Sequence, residues 1–293
     1  MSTGSKVAGH VILVLACLLA ACSRNQDQDQ RALLARGTYL MEGIVACGNC
    51  HTPRASDGLP VEGMSLAGAF VIEDPGFIAY APNITPDAET GIGAWSDAEL
   101  IRAIREGIRP DGTVIGPPMP IISYRAMSDY DVRAIVAYLR TVEPVRNVVQ
   151  RSVYQFPLPE SWGPPLGPVP DVSRDDHLAY GTYLSHIGHC MECHSPLVEG
   201  QFDFSRAGEG GMVFNKPFGL GFAAIAANIT PNTEVGIGTW SDADIKRAVT
   251  QGVSRDGHQL LPVMAFSSYR NITDEDLNDL VVYLRSLPPQ PAD

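Results

Sequence analysis

With 293 residues, 45% of them hydrophobic, the chain is long enough to bury cores in one to three domains. Its 28 glycines and 23 prolines exclude a long helical bundle and leave an all-β or helix-plus-loop protein. It has 21 Lys and Arg against 33 Asp and Glu, a net charge of −12, which argues against a nucleic-acid partner and is ordinary for an exported domain.

Residues 1–21 carry Lys6 as their only formal charge and end in the apolar run Val11 to Ala21. That run has the length of an export-signal core and is too short to span a bilayer comfortably. Its end, Leu19-Ala-Ala-Cys22, resembles the lipobox of bacterial lipoproteins. The resemblance implies that Cys22 becomes the lipid-modified first residue of an exported lipoprotein, held at the periplasmic face of the inner or outer membrane. Residues 22–30 then read as a polar tether.

A helix is expected from Arg31 to Cys47, through Gly37-Thr-Tyr-Leu40, running into Cys47-Gly-Asn-Cys50-His51. Cysteines three apart on a helical turn share a face, so both sulfurs can bond one haem, and the adjacent histidine can take the proximal position on its iron. Zinc would need a fourth ligand, and a redox disulfide has no need of the trailing histidine, but both stay open for one isolated motif. Next comes Asn83-Ile-Thr-Pro with Gly-Ile-Gly-x-Trp95 behind it. Asn83 opens an Asx-type turn, and the glycines permit close approach to a ring edge. Trp95 offers an indole N–H to a haem propionate or packs on the haem face.

Ser96-x-x-Glu99 reads as a capping box opening LIRAIREGI, and Ser128-x-x-Asp131 as a similar start for VRAIVAYLR. Between them Met119 lies in the irregular loop GPPMP, where a thioether is free of any helix face and suited to be the sixth iron ligand. Residues 143–172 contain seven prolines and are expected to be a semi-rigid extended linker.

Beyond the linker the pattern returns. Gly181-Thr-Tyr-Leu184 lies within a helix expected from Asp175 to Cys190, and Cys190-Met-Glu-Cys193-His194 repeats the first motif. Asn228, Trp240, Ser241-x-x-Asp244, Met264 and Thr273-x-x-Asp276 follow at an offset of 145 residues. From these cysteine and histidine counts one C-x-x-C-H is expected about 0.003 times by chance, so two in register mark a duplicated haem-attachment unit. His186, His189 and His258 have no histidine counterpart in the first unit and read as neighbours of the site. The expected architecture is mainly α, with one domain over 31–142 and a second over 173–289.

The array GTYL, C-x-x-C-H, PFG (Pro217 to Gly219), NITP, GIG-x-W, loop Met, SYR and a final AYL or VYL helix resembles the cytochrome c subunits of membrane-bound bacterial alcohol and gluconate dehydrogenases. The resemblance covers nearly all of Arg31 to Leu287. It implies two tandem class I cytochrome c domains and two covalent c-type haems. Cys47, Cys50, His51 and Met119 would hold one, and Cys190, Cys193, His194 and Met264 the other. It further implies electron relay from a donor dehydrogenase to a downstream cytochrome, terminal oxidase or quinone. Such subunits usually carry three haem units, so two shift the expected acceptor away from quinone. The alternative is a dihaem redox enzyme of peroxidase or thiosulfate-oxidising type. The first needs an open iron face and the second a cysteine ligand.

Overall fold

The computed structural model describes residues 26–291. The expected signal (1–21) and the lipidation site Cys22 lie outside the described residues. Helix α1 covers residues 26–42, so residues 26–30, read as tether, form its first described turns. It stops short of the first cysteine motif because the chain turns through Ala46 at φ 48°; His189, at φ 46°, makes the same break in the second half. The C-x-x-C-H motif is therefore a separate single turn, α2 (Gly48–His51). After it come the hairpin β1 (Ala69–Asp74) and β2 (Phe77–Ala81), then α3 (Asp97–Glu106), α4 (Ile121–Tyr124) and α5 (Asp129–Leu139). A two-residue strand, β3 (Val153–Tyr154), joins the edge of β2.

The second half repeats the helices as α6 (His177–Ile187), α7 (Cys190–Cys193), α8 (Asp242–Gln251), α9 (Phe266–Tyr269) and α10 (Asp274–Ser286). Between α7 and α8 lie the short hairpins β4 (Leu197–Val198) with β5 (Gln201–Phe202), and β6 (Val213–Asn215) with β7 (Ala223–Ile225). The architecture is mainly helical, as expected, with three small sheets among the described residues that no strand-length alternation in the sequence announced.

Local chemistry explains the helix ends. Ser96 and Ser241 cap α3 and α8 with full capping boxes, and Gly107 and Gly252 close them in the left-handed conformation at φ 68° and 66°. Ser128 and Thr273 cap α5 and α10, each side chain accepting from the backbone N–H of Asp131 or Asp276. The two aspartates do not complete a box; their carboxylates face the seam between the halves.

At that seam the contacts are reciprocal, as in a twofold interface. Tyr39 on α1 donates to Asp276 of α10 at 2.6 Å, and Tyr183 on α6 donates to Asp131 of α5 at 2.6 Å. Arg36 grips Asp131 with two bonds of 2.8 and 2.7 Å, and Arg174 reaches Asp276 at 2.7 Å. Leu40 of α1, Ile44 in the turn after it, and Leu184 and Ile187 of α6 are fully buried in one hydrophobic core that also includes Ile135 and Leu277. A second, asymmetric contact comes from the β6–β7 hairpin. Phe214 and Phe218 pack on the cluster that includes Val71 and Ile72 of β1, against which Cys50 also packs.

The segment 143–172 differs from the expected spacer. It is extended, but it is packed along the first half as a strap. Asn147 Nδ2 donates to Ala67 O, Tyr154 O–H to Pro117 O and Trp162 Nε1 to Ile115 O, each at 2.8 Å, and Val169 O accepts from Asp129 N. Proline stiffness made the chain straight, while the aromatic side chains between the prolines tied it down. Tyr154→Phe is expected to lower stability by about 1 kcal/mol, one partly buried hydrogen bond, in chemical denaturation. An unpacked spacer would show no change.

Candidate functional site

Cys47 caps α2 and Cys50 lies within it; Cys190 and Cys193 bound α7. All four are free cysteines, which removes the disulfide reading, and all four line one internal cavity. Burial pushes the thiols up, to about 12 for Cys47 and Cys193 and about 11 for Cys50 and Cys190. They are thiols and not thiolates at neutral pH. Among the described residues no group of three or more His, Cys, Asp and Glu side chains converges on a metal position.

His51 follows the second cysteine and is buried; its Nδ1–H donates to the carbonyl of Pro82 at 2.8 Å. His194 does the same to Ala227 at 2.7 Å. A carbonyl only accepts, so the proton sits on Nδ1 and the Nε2 lone pair of each ring is left for iron. Burial lowers both imidazole pKa values, which keeps the rings neutral and able to ligate.

Pro82 and Ala227 immediately precede Asn83 and Asn228, which gives those asparagines their role. Asn83 Oδ1 accepts from the N–H and O–H of Thr85 at 2.9 and 2.8 Å, and its Nδ2 donates to Val145 O at 2.7 Å. Asn228 repeats this with Thr230 and Gln290 O. Each Asx turn thus pins the loop whose carbonyl orients the motif histidine. The following glycines serve this loop, and Gly91 also lines the cavity. A Cβ on Gly91 would lie 2.2 Å from Thr85 O, and one on Gly236 2.3 Å from Thr230 O. Trp95 and Trp240 line the cavity, and their carbonyls accept from Arg140 and Arg285.

Met119 and Met264 both line the cavity. Their loops are braced differently. Tyr154 and Trp162 of the strap hold the first, while Asn49, inside the first C-x-x-C motif, donates from Nδ2 to Val263 O at 3.1 Å and steadies the second. In return Glu192, inside the second motif, accepts from Ser123 N in the first half at 3.2 Å. Glu192 is buried, which pushes its carboxyl up to about 7. Sequence reasoning missed Asn49 and Glu192, because their partners lie 214 and 69 residues away.

The cavity is about 990 Å³ and continuous from one half to the other, with Tyr124, His189 and Tyr269 among the residues lining it. His189 lies edge-on to Tyr124, ring centroids 6.2 Å apart, and burial lowers its pKa to about 4. His186 and His258 are not among the lining residues. The donor set fits a c-type haem: paired thiols on one turn, an oriented neutral imidazole, a loop thioether and a mainly apolar chamber.

Residues 179–288 match the family model for cytochrome c. The chain is 31% identical over 310 residues to the cytochrome c subunit of a quinone-type alcohol dehydrogenase of Gluconobacter oxydans, covering 99% of this chain and 62% of that protein. It is 30% identical over 285 residues to the gluconate 2-dehydrogenase cytochrome c subunit of Pantoea cypripedii, covering 91% and 62%. A diheme cytochrome c-type protein of Cereibacter sphaeroides is 29% identical over 261 residues, covering 83% and 82%. The chain thus spans about three fifths of the length of the dehydrogenase subunits it matches. It therefore carries a cytochrome c domain in its C-terminal half and is related, over nearly its whole length, to the cytochrome c subunits of bacterial alcohol and gluconate dehydrogenases.

Proposed function

We propose that the chain is a dihaem electron carrier, each half (31–142 and 173–289) a class I cytochrome c unit. The observation that carries this is the repeated histidine arrangement, in which His51 and His194 each present Nε2 to a cavity that Met119 and Met264 also line. Cys47 and Cys50, and Cys190 and Cys193, would form the thioether links. Haem iron held by His and Met supplies a one-electron centre of raised potential with no vacant face for substrate. The protein's part is to hold the imidazoles and thioethers, exclude water with the apolar wall and fix the distance between the sites. Trp95 and Trp240, which line the cavity, would offer indole N–H groups to haem carboxylates.

The named relatives, cytochrome c subunits of dehydrogenases, support a dehydrogenase as donor; the acceptor in this reading is a downstream cytochrome, terminal oxidase or quinone. The signal-like residues 1–21 and the lipobox-like Cys22 support an exported lipoprotein working at the periplasmic face of a membrane. A peroxidase-type reading requires an iron face without a protein ligand, yet each half brings a methionine to the cavity.

Ferric spectra of the haem-loaded protein test the proposal. Two thioether-to-iron charge-transfer bands are expected, with Met119→Ala and Met264→Ala each removing one and the double variant both. Resting wild-type protein that is high-spin and binds cyanide or peroxide would falsify the saturated-iron reading.

A further inference from the structure

The two sites are built from repeated sequence, yet their charged surroundings are unequal, and the differences have one sign. Beside the first motif, Arg54 is half-buried, with Nη2 on Asn49 Oδ1 at 2.6 Å and Nη1 on Gly58 O at 3.0 Å. Its Cζ lies 4.8 Å from the Phe218 ring centroid, and its buried Nε has no hydrogen-bond partner. It is close enough to Cys50 to oppose the effect of burial on that thiol. Three residues past the second motif histidine the corresponding residue is Leu197, which is exposed.

Further along, Arg109 lines the cavity with the Met119 loop, its Nη1 on Val114 O at 2.9 Å. Its counterpart is Ser254, and the neighbouring Arg255 is turned away to Thr239 and Asp256. Arg151 also lines the cavity, but with a side chain 84% exposed it adds little. His51 is 7% exposed, whereas His194 is only half-buried.

Resting on the dihaem reading above, we propose that the first site, Cys47–His51 with Met119, is the higher-potential member of the pair, and that Arg54 and Arg109 make it so. A fixed guanidinium charge near an iron site favours the oxidation state with one positive charge fewer, which is the reduced one, and partial burial reduces its screening by solvent and salt. Guanidinium keeps its charge under all working conditions. The step is one electron with no proton: when the chain holds a single electron, the first iron is reduced and the second stays oxidised. Electrons entering at the second site from a reduced dehydrogenase cofactor move downhill to the first and leave to a one-electron oxidant.

An optical redox titration of the haem-loaded chain tests this, after the haem-to-protein ratio has been measured. A ratio of one would overturn the dihaem reading itself. With two haems, two one-electron waves are expected. Met119→His is expected to lower the upper wave and Met264→His the lower, because imidazole in place of thioether lowers the potential. Arg54→Met is expected to shift the upper wave down by at least a tenfold change in the reduced-to-oxidised ratio, about 59 mV for one electron. Arg54→Lys is expected to retain most of the potential, and Arg109→Met, which leaves the Phe218 contact intact, to lower the same wave. Coincident waves, an upper wave that moves with Met264→His, or an upper wave unmoved by both arginine-to-methionine variants would each overturn the ranking.

Discussion

Gly181→Ala is expected to destabilise the haem-loaded protein by about 3 kcal/mol or more, seen as a lower denaturation midpoint. On an exposed helix the change would gain up to about 1 kcal/mol from helix propensity. Here a Cβ would lie 1.9 Å from Asp279 O and 3.1 Å from Tyr283 Cβ, because α6 crosses α10 at this residue with backbones in contact. No rotamer relieves a clash with a carbonyl, so the helices must separate and the core beneath them loosens. Gly37→Ala is expected to behave alike, since its Cβ would meet Ala134 O at 2.0 Å where the N-terminal helix crosses α5. Gly167→Ala, with nothing within 4 Å, is the control. If Gly181→Ala matched Gly167→Ala, the close crossing would be wrong.

The second large effect concerns the seam. Asp276 is 0% exposed, and its carboxylate is held by Tyr39 at 2.6 Å and Arg174 at 2.7 Å. Asp131 is held by Arg36 and Tyr183. Asp131→Ala leaves a buried hydroxyl and a guanidinium without their acceptor, so a loss of about 3–5 kcal/mol is expected. Tyr183→Phe removes one bond to the carboxylate and is expected to cost about 1–2 kcal/mol. In a double-mutant cycle the two losses are expected to be non-additive, because both variants break the same network. Additive losses would show that Tyr183 and Asp131 act separately and that the reciprocal latch is not a unit.

These two predictions rest on features that were visible in the sequence without being interpretable. Gly37-Thr-Tyr-Leu40 and its repeat at Gly181 stand out as matched strings, but their meaning requires the partner helix about a hundred residues on. Ser128-x-x-Asp131 and Thr273-x-x-Asp276 look like two further capping boxes, and half of each is. The serine or threonine caps its helix, a contact three residues long, whereas the aspartate answers a tyrosine from the other half. Asn83 and Asn228 read correctly as turn residues, yet nothing local says that the carbonyl just before each one orients a histidine.

What the sequence by itself determined is everything short-range or repeated. The paired cysteines with their trailing histidines, the capped helix starts, the matched methionines and the doubling of the unit all depend on spacings of a few residues, or on comparing one half with the other. The tertiary structure alone decided how the halves meet. It turned a proline-rich spacer into a strap across the first half, opened both cysteine motifs onto one chamber, and made each cysteine motif brace the opposite half through Asn49 and Glu192. It also brought Arg54 under Phe218 and Arg109 to the cavity wall while their counterparts stayed uncharged. The reason is physical: hydrogen bonds and packing across hundreds of residues are selected by the whole folded surface, and no local pattern encodes the partner.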